Sequence, residues 1–143
     1  MNRDKFYPIE ISRIEAVKGD LGLDKYLIYV GESNPRKNLP RLIEAVDQLE
    51  WDIPLLLVGS GHRSSDGIQE ICQRMKNPER IWILGFLEDE VMAPLIAGAI
   101  DMVFPSLAEG FGFPVFEAMA CGTPVIGSNL SSLPDAAYGA ALL

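Results

Sequence analysis

Apolar runs of strand length recur along the chain at Tyr26 to Val30, Ile53 to Val58, Ile81 to Leu84, Met102 to Phe104 and Pro124 to Ile126. Each is short and nearly unbroken, which suits strands buried on both faces, and helix-length amphipathic segments separate them. This is the pattern of βαβ units, whose crossovers are right-handed almost without exception. The sequence therefore predicts an α/β fold: an open, doubly wound parallel sheet of about six strands with helices on both faces. The last strand is expected near Ala140 to Leu142. Helices are expected from Leu39 to Leu49 behind an Asn38 N-cap, from Asp66 to Met75, from Asp89 to Ala99, and from Phe113 or Pro114 onward. Ser131 to Ala137 reads as a short helical turn, and Trp51 and Trp82 as core or sheet-covering residues. Residues 1–22 fit the alternation poorly. They hold a helix near Ser12 to Lys18 that Gly19 and Gly22 end, and read as linker or peripheral helix ahead of a domain over residues 23–143. A chain of 143 residues is one domain's worth and buries roughly two-thirds of its unfolded surface.

Ligands in such sheets bind beyond the carboxyl ends of the strands. That rule gathers Gly31 to Lys37, Gly59 to Ser64, Phe86-Leu87 and Ser106 to Gly112 on one edge. The last loop carries the densest chemistry, because Glu109 and Glu117 bracket Gly110-Phe111-Gly112-Phe113-Pro114-Val115-Phe116. Glycines at 110 and 112 tolerate unusual φ/ψ and let the backbone approach a ligand. Proline suits the first turn of the helix that follows. A helix start presents free N–H groups and partial positive charge to a phosphate or a sugar oxygen. Carboxylates beside it accept hydrogen bonds from hydroxyls, so the loop fits a ligand that carries both polyol and phosphate. Arg36, Lys37 and Arg41 form a basic cluster beyond the first strand, where an anionic ligand needs it. Taken singly, the two glutamates would be helix-flanking charges and the cations a solvated helix start. Their convergence on one edge argues for a site.

Other motifs fail. Gly59-Ser60-Gly61 invites a dinucleotide reading, but Ser64 stands where G-x-G-x-x-G needs its third glycine. No G-x-x-x-x-G-K-[ST] loop occurs. His62, the sole histidine, lies in the same turn with no nucleophile to serve and is a minor candidate. Net charge is −8 and uneven: residues 1–45 carry 8 basic and 7 acidic side chains, residues 46–143 carry 4 and 13. Such a surface repels nucleic-acid phosphates and excludes nucleic acid as a partner. Cys72 and Cys121 lie far apart with no ligand spacing around them, so no metal is expected. Reduced structural thiols point to a cytoplasmic protein, with no membrane span or signal peptide in the sequence.

The stretch from Glu109 to Glu117 resembles the Glu-x7-Glu motif of retaining glycosyltransferases of the group 1 type. These have two Rossmann-like domains facing each other, the GT-B architecture. Phe104-Pro105-Ser106 ahead of the motif and Glu117-Ala118-Met119-Ala120-Cys121-Gly122-Thr123-Pro124-Val125-Ile126 behind it agree, and the resemblance runs from about Tyr26 to Leu143. Tyr29-Val30-Gly31 with Pro35-Arg36-Lys37-Asn38-Leu39 looks like the family's phosphate-binding loop in a mannosyltransferase-like form. The resemblance implies the C-terminal, donor-binding half alone, truncated at its C-terminus, taking a hexose from a nucleotide-diphosphate sugar without a metal or other cofactor. It makes Glu109 and Lys37 catalytic, the first holding sugar hydroxyls and the second neutralising the leaving diphosphate. It gives Glu117 to the nucleotide ribose, Gly110, Phe111 and Gly112 to sugar and phosphates, Gly31 and Arg36 to the phosphate loop, and Phe86 and Leu87 to the base. Glu32 departs from the pattern, since many relatives carry Arg there, and Arg36 is the available substitute. The acceptor stays open. The missing N-terminal domain is an implied partner, and self-association would bury the face it leaves exposed. A fragment of this kind is expected not to be competent alone, and in the full enzyme it could sit at a membrane. The rival readings are a non-catalytic nucleotide-sugar-binding or assembly module and a related two-domain sugar epimerase, which shares the architecture but usually not this glycine-aromatic pattern.

Overall fold

The computed structural model describes residues 6–59 and 67–143. At its centre lie five strands: β1 (Leu27–Val30), β2 (Leu55–Val58), β3 (Ile81–Leu84), β4 (Asp101–Phe104) and β5 (Val125–Gly127). All pair in parallel, in the order β3-β2-β1-β4-β5. Strand β2 has neighbours on both sides, and all four of its residues are wholly buried. That is why its run is apolar at every position rather than at alternate ones.

Among the described residues there are six α-helices: α1 (Ile11–Leu21), α2 (Leu39–Asp47), α3 (Ile68–Cys72), α4 (Asp89–Ala97), α5 (Phe113–Ala120) and α6 (Leu133–Ala137). Helices α2 and α3 carry the chain outward from β1 to β3, and α4 and α5 carry it back through β4 to β5. With right-handed crossovers the two pairs cover opposite faces of the sheet. Helix α2 follows from its sequence, since Leu39, Leu42, Ile43 and Val46 fall on one face and all are buried. Helix α1 packs against α4. Its Arg13 donates to the Glu90 carbonyl at 3.4 Å, a group that Pro94 inside α4 leaves without a helical donor.

Three expectations change. The sheet has five strands rather than about six, because the segment near Leu142 makes a single parallel bridge to Ile126 instead of a strand. Trp51 is not a core residue; it is 69% exposed. Asn38 does occupy the N-cap of α2, but in the left-handed region (φ 56°) and with no capping hydrogen bond. The readings placed on Ser60-Gly61, His62 and Ser64, and the start of the helix at Asp66, lie outside the described residues. Both cysteines carry free thiols, Cys121 buried at the end of α5 and Cys72 half-buried. Among the described residues no helix is long and apolar enough to cross a membrane.

Candidate functional site

The strand order reverses between β1 and β4, neighbours whose chains continue to opposite sides of the sheet. Loops leaving their carboxyl ends diverge there and open a crevice, the usual ligand position in a sheet of this kind. A single 3₁₀ turn, Pro35–Lys37, fills one side. Asn34 starts it by accepting from the Arg36 N–H at 3.1 Å. The other side is the segment from Pro105 to Gly112. Two hydrogen bonds stitch the walls together: the Leu107 N–H donates to the Arg36 carbonyl at 2.7 Å, and Asn38 Nδ2 donates to the Pro105 carbonyl at 3.3 Å. Asn38 thus spends its side chain across the crevice rather than on its own helix.

Lys37 and Glu109 meet inside. The Lys37 Nζ donates to Glu109 Oε1 at 2.6 Å, and both side chains are mostly shielded from solvent. A contact this short between a full ammonium and a carboxylate is a charge-assisted hydrogen bond. The ammonium also lies 5.0 Å from the centre of the Phe104 ring, within range of a cation–π attraction. Phe104 in turn stacks on Tyr29 at 5.8 Å. Neither ring was a sequence candidate, because both are apolar strand positions in an apolar run. Gly31 is shaped by the same packing: its φ is +150°, and a Cβ there would sit 2.8 Å from the Tyr29 hydroxyl.

The two motif glycines differ. Gly112 has φ +80° and is buried, and an added Cβ would meet Leu133 of α6 at 2.9 Å. Its lack of a side chain therefore serves the turn into α5 and the seat of α6, rather than close approach of a ligand. Gly110 is exposed with open space around it. Phe111 and Phe113 are about half exposed and form a cluster with Phe116, centroids 5.0 and 5.1 Å from Phe111. The main chain of Glu109 is held from the loop after β5: its N–H donates to Ser131 Oγ at 3.2 Å, and its carbonyl accepts from Ser131 and Ser132 hydroxyls at 2.9 and 3.1 Å. No motif signalled this, because Ser-Ser ahead of Leu-Pro reads as an ordinary helix start.

Glu117 is not part of the Lys37 pair. It lies on α5, half-buried, and burial pushes its carboxyl above the ordinary value of 4.5, with the Asp89 carboxylate adding to the rise. Asp89 opens α4 just after Phe86 and Leu87, which lie in the loop that leaves β3. Phe86 is 79% exposed and Leu87 partly buried. Arg36 is exposed at the crevice mouth. Among the described residues no group of three or more His, Cys, Asp or Glu side chains lies together.

Comparison with known proteins identifies the family and the fold. The sequence model for "Glycosyl transferases group 1" matches residues 11–138. The chain belongs to the group 1 glycosyltransferases. Among its group 1 relatives, the O-antigen chain mannosyltransferase B of Escherichia coli is 37% identical over 130 residues, 88% of this chain and 34% of that protein. The crystal structure of Anabaena HepE in complex with UDP-glucose superposes with a TM-score of 0.84 at 23% identity, over 94% of this chain and 38% of that one. The C-terminal domain of the group 1 protein LpcC from Francisella tularensis gives a TM-score of 0.75 at 25% identity, covering 94% of this chain and 73% of that domain's chain. This chain thus spans about a third of the curated mannosyltransferase, and its fold is one half of the glycosyltransferase architecture.

Proposed function

We propose that this chain is the donor-binding half of a retaining glycosyltransferase that transfers a hexose from a nucleotide-diphosphate sugar. The observation that carries the reading is the Lys37–Glu109 contact in the crevice where the strand order reverses. An ammonium and a carboxylate facing each other match the two ends of a sugar diphosphate. Lys37 would take the phosphates and Glu109 the sugar hydroxyls, so that the donor inserts between them and replaces one ion pair with two interactions. Breaking the anomeric C–O bond places negative charge on the departing diphosphate. A preorganised ammonium stabilises that charge as it develops, which makes a metal unnecessary in this reading. Glu117 would hold the ribose hydroxyls, and the backbone of Phe86 and Leu87 would meet the base. Gly110, Phe111 and Gly31 would border the sugar and phosphates, with Arg36 as a second cation at the mouth.

The mannosyltransferase relatives favour mannose among hexoses, and the UDP-glucose bound by HepE favours a nucleotide-sugar donor in general. The acceptor and its binding groups would come from an N-terminal domain, so the chain by itself would bind donor and transfer little. Calorimetry with several nucleoside diphosphates and their hexose conjugates tests this. We expect dissociation constants of about 1 mM or tighter for at least one pair. No binding of any of them overturns the reading, and robust sugar transfer by the isolated chain would overturn the division of labour.

A further inference from the structure

The loop between β5 and α6 grips the loop after β4 through three hydroxyls. Ser128 Oγ donates to the Ser106 carbonyl, while Ser131 and Ser132 both donate to the carbonyl of Glu109. Two hydroxyls satisfy both lone pairs of that carbonyl, and Ser131 also accepts from the Glu109 N–H. Every backbone group of Glu109 is therefore tied to a segment 22 residues away in sequence. Ser131 sits at a conformational cost, and Ser132 forgoes its ordinary use. Ser131 holds a left-handed φ of +58°, which residues with a Cβ rarely adopt. Ser132 occupies the N-cap of α6, yet its hydroxyl makes no capping bond, although capping is the ordinary use of serine there. It reaches Glu109 instead.

Resting on the donor-binding reading, we propose that Ser131 and Ser132 are positioning residues for Glu109, fixing its main chain so that its carboxylate is held where the transferred sugar must lie. The clamp acts on sugar recognition and leaves the nucleotide end alone. Packing supports the same alignment. Leu133, the next residue, is buried against Gly112 at the other end of the motif loop, so one short segment sets both ends of the turn that presents Glu109.

The test uses the chain as it is, with Ser131→Gly, Ser132→Ala and the double variant. Glycine at 131 removes the hydroxyl while relieving the left-handed backbone, so a loss cannot be put down to a weakened fold. Affinity is measured by calorimetry for a nucleoside diphosphate and for its hexose conjugate, and exchange of the Glu109 amide proton by NMR. The double variant should lose about ten-fold in affinity for the conjugate with no fall for the bare diphosphate, and its Glu109 amide should exchange at least ten-fold faster. Ser132→Thr, which keeps the hydroxyl, should stay near wild type for both ligands. Equal losses for both ligands, or no loss for the conjugate, would overturn the proposal. If the wild-type chain binds neither ligand, the donor reading itself fails; the exchange measurement then still judges the clamp, with faster exchange upholding the hold on Glu109 and unchanged exchange overturning it.

Discussion

Lys37 and Glu109 are 72 residues apart in the chain and 2.6 Å apart in the fold, so each neutralises the other before any ligand arrives. That pairing has a consequence for affinity. A bare diphosphate must draw Lys37 away from Glu109, whereas a sugar diphosphate offers Glu109 hydroxyls in exchange. We therefore expect Glu109→Gln to raise the affinity for a nucleoside diphosphate a few-fold and to lower it about ten-fold for the hexose conjugate, both read by calorimetry. A loss for both ligands would contradict the competition. A double-mutant cycle with Lys37→Met and Glu109→Gln, followed by urea denaturation, should return a coupling of about 1 kcal/mol. Glu117 makes a different prediction. Its folded pKa is raised above 4.5 by burial, so the folded state binds the proton more tightly than the unfolded chain. Stability from this group is full below 4.5 and is lost as pH rises from there through the raised folded value. Glu117→Gln should thus stabilise the chain at pH 7, with the gain fading as pH falls through the raised folded value and gone below 4.5, while weakening nucleotide binding. Thermal melts across pH check the first part; a variant less stable at pH 7 would contradict it.

At the scale of elements, the turn into α5 depends on one glycine of the two. Gly112→Ala must accept a φ of +80° and a contact of 2.9 Å with Leu133, which should cost about 2 kcal/mol. Gly110→Ala meets nothing and should change stability by less than about 0.5 kcal/mol. Chemical denaturation of the two variants compares them directly. The far side of the sheet relies on a buried cation. Arg80, ahead of β3, is 4% exposed and donates to the carbonyls of Leu49 and Ile53 at 3.1 and 3.2 Å. It thereby closes the connection from α2 to β2. Arg80→Met strands those carbonyls and should cost about 2 kcal/mol by denaturant midpoint, with nucleotide binding unchanged because the site lies elsewhere.

For the molecule as a whole, binding and stability are linked. A ligand held by the folded state alone, at a hundred times its dissociation constant, adds about 2.7 kcal/mol. A nucleoside diphosphate should therefore raise the melting temperature. The shift should shrink with added salt, because the attraction between phosphate and Lys37 is screened, and should largely vanish in Lys37→Met. A shift that ignores both salt and Lys37 would place the ligand somewhere other than this crevice.

The sequence alone determined the class of fold, since short uninterrupted runs such as Leu55 to Val58, alternating with amphipathic helix-length segments, fit strands covered on both faces. It also indicated which loops leave the carboxyl edge of the sheet, because that depends only on the strands being parallel, as they are. The motif pointed to Glu109 and to Lys37 for the same reason: residue type and spacing are local. Strand order is not local. That β1 lies beside β4, bringing Lys37 against Glu109, is decided by how the helices pack across the sheet. So are the Phe104 ring near Lys37, the use of Asn38 across the crevice, and the serine hydroxyls on Glu109. Each of these joins residues distant along the chain, and a serine before a helix or a phenylalanine in a strand has the same local form whether or not a partner waits across the fold.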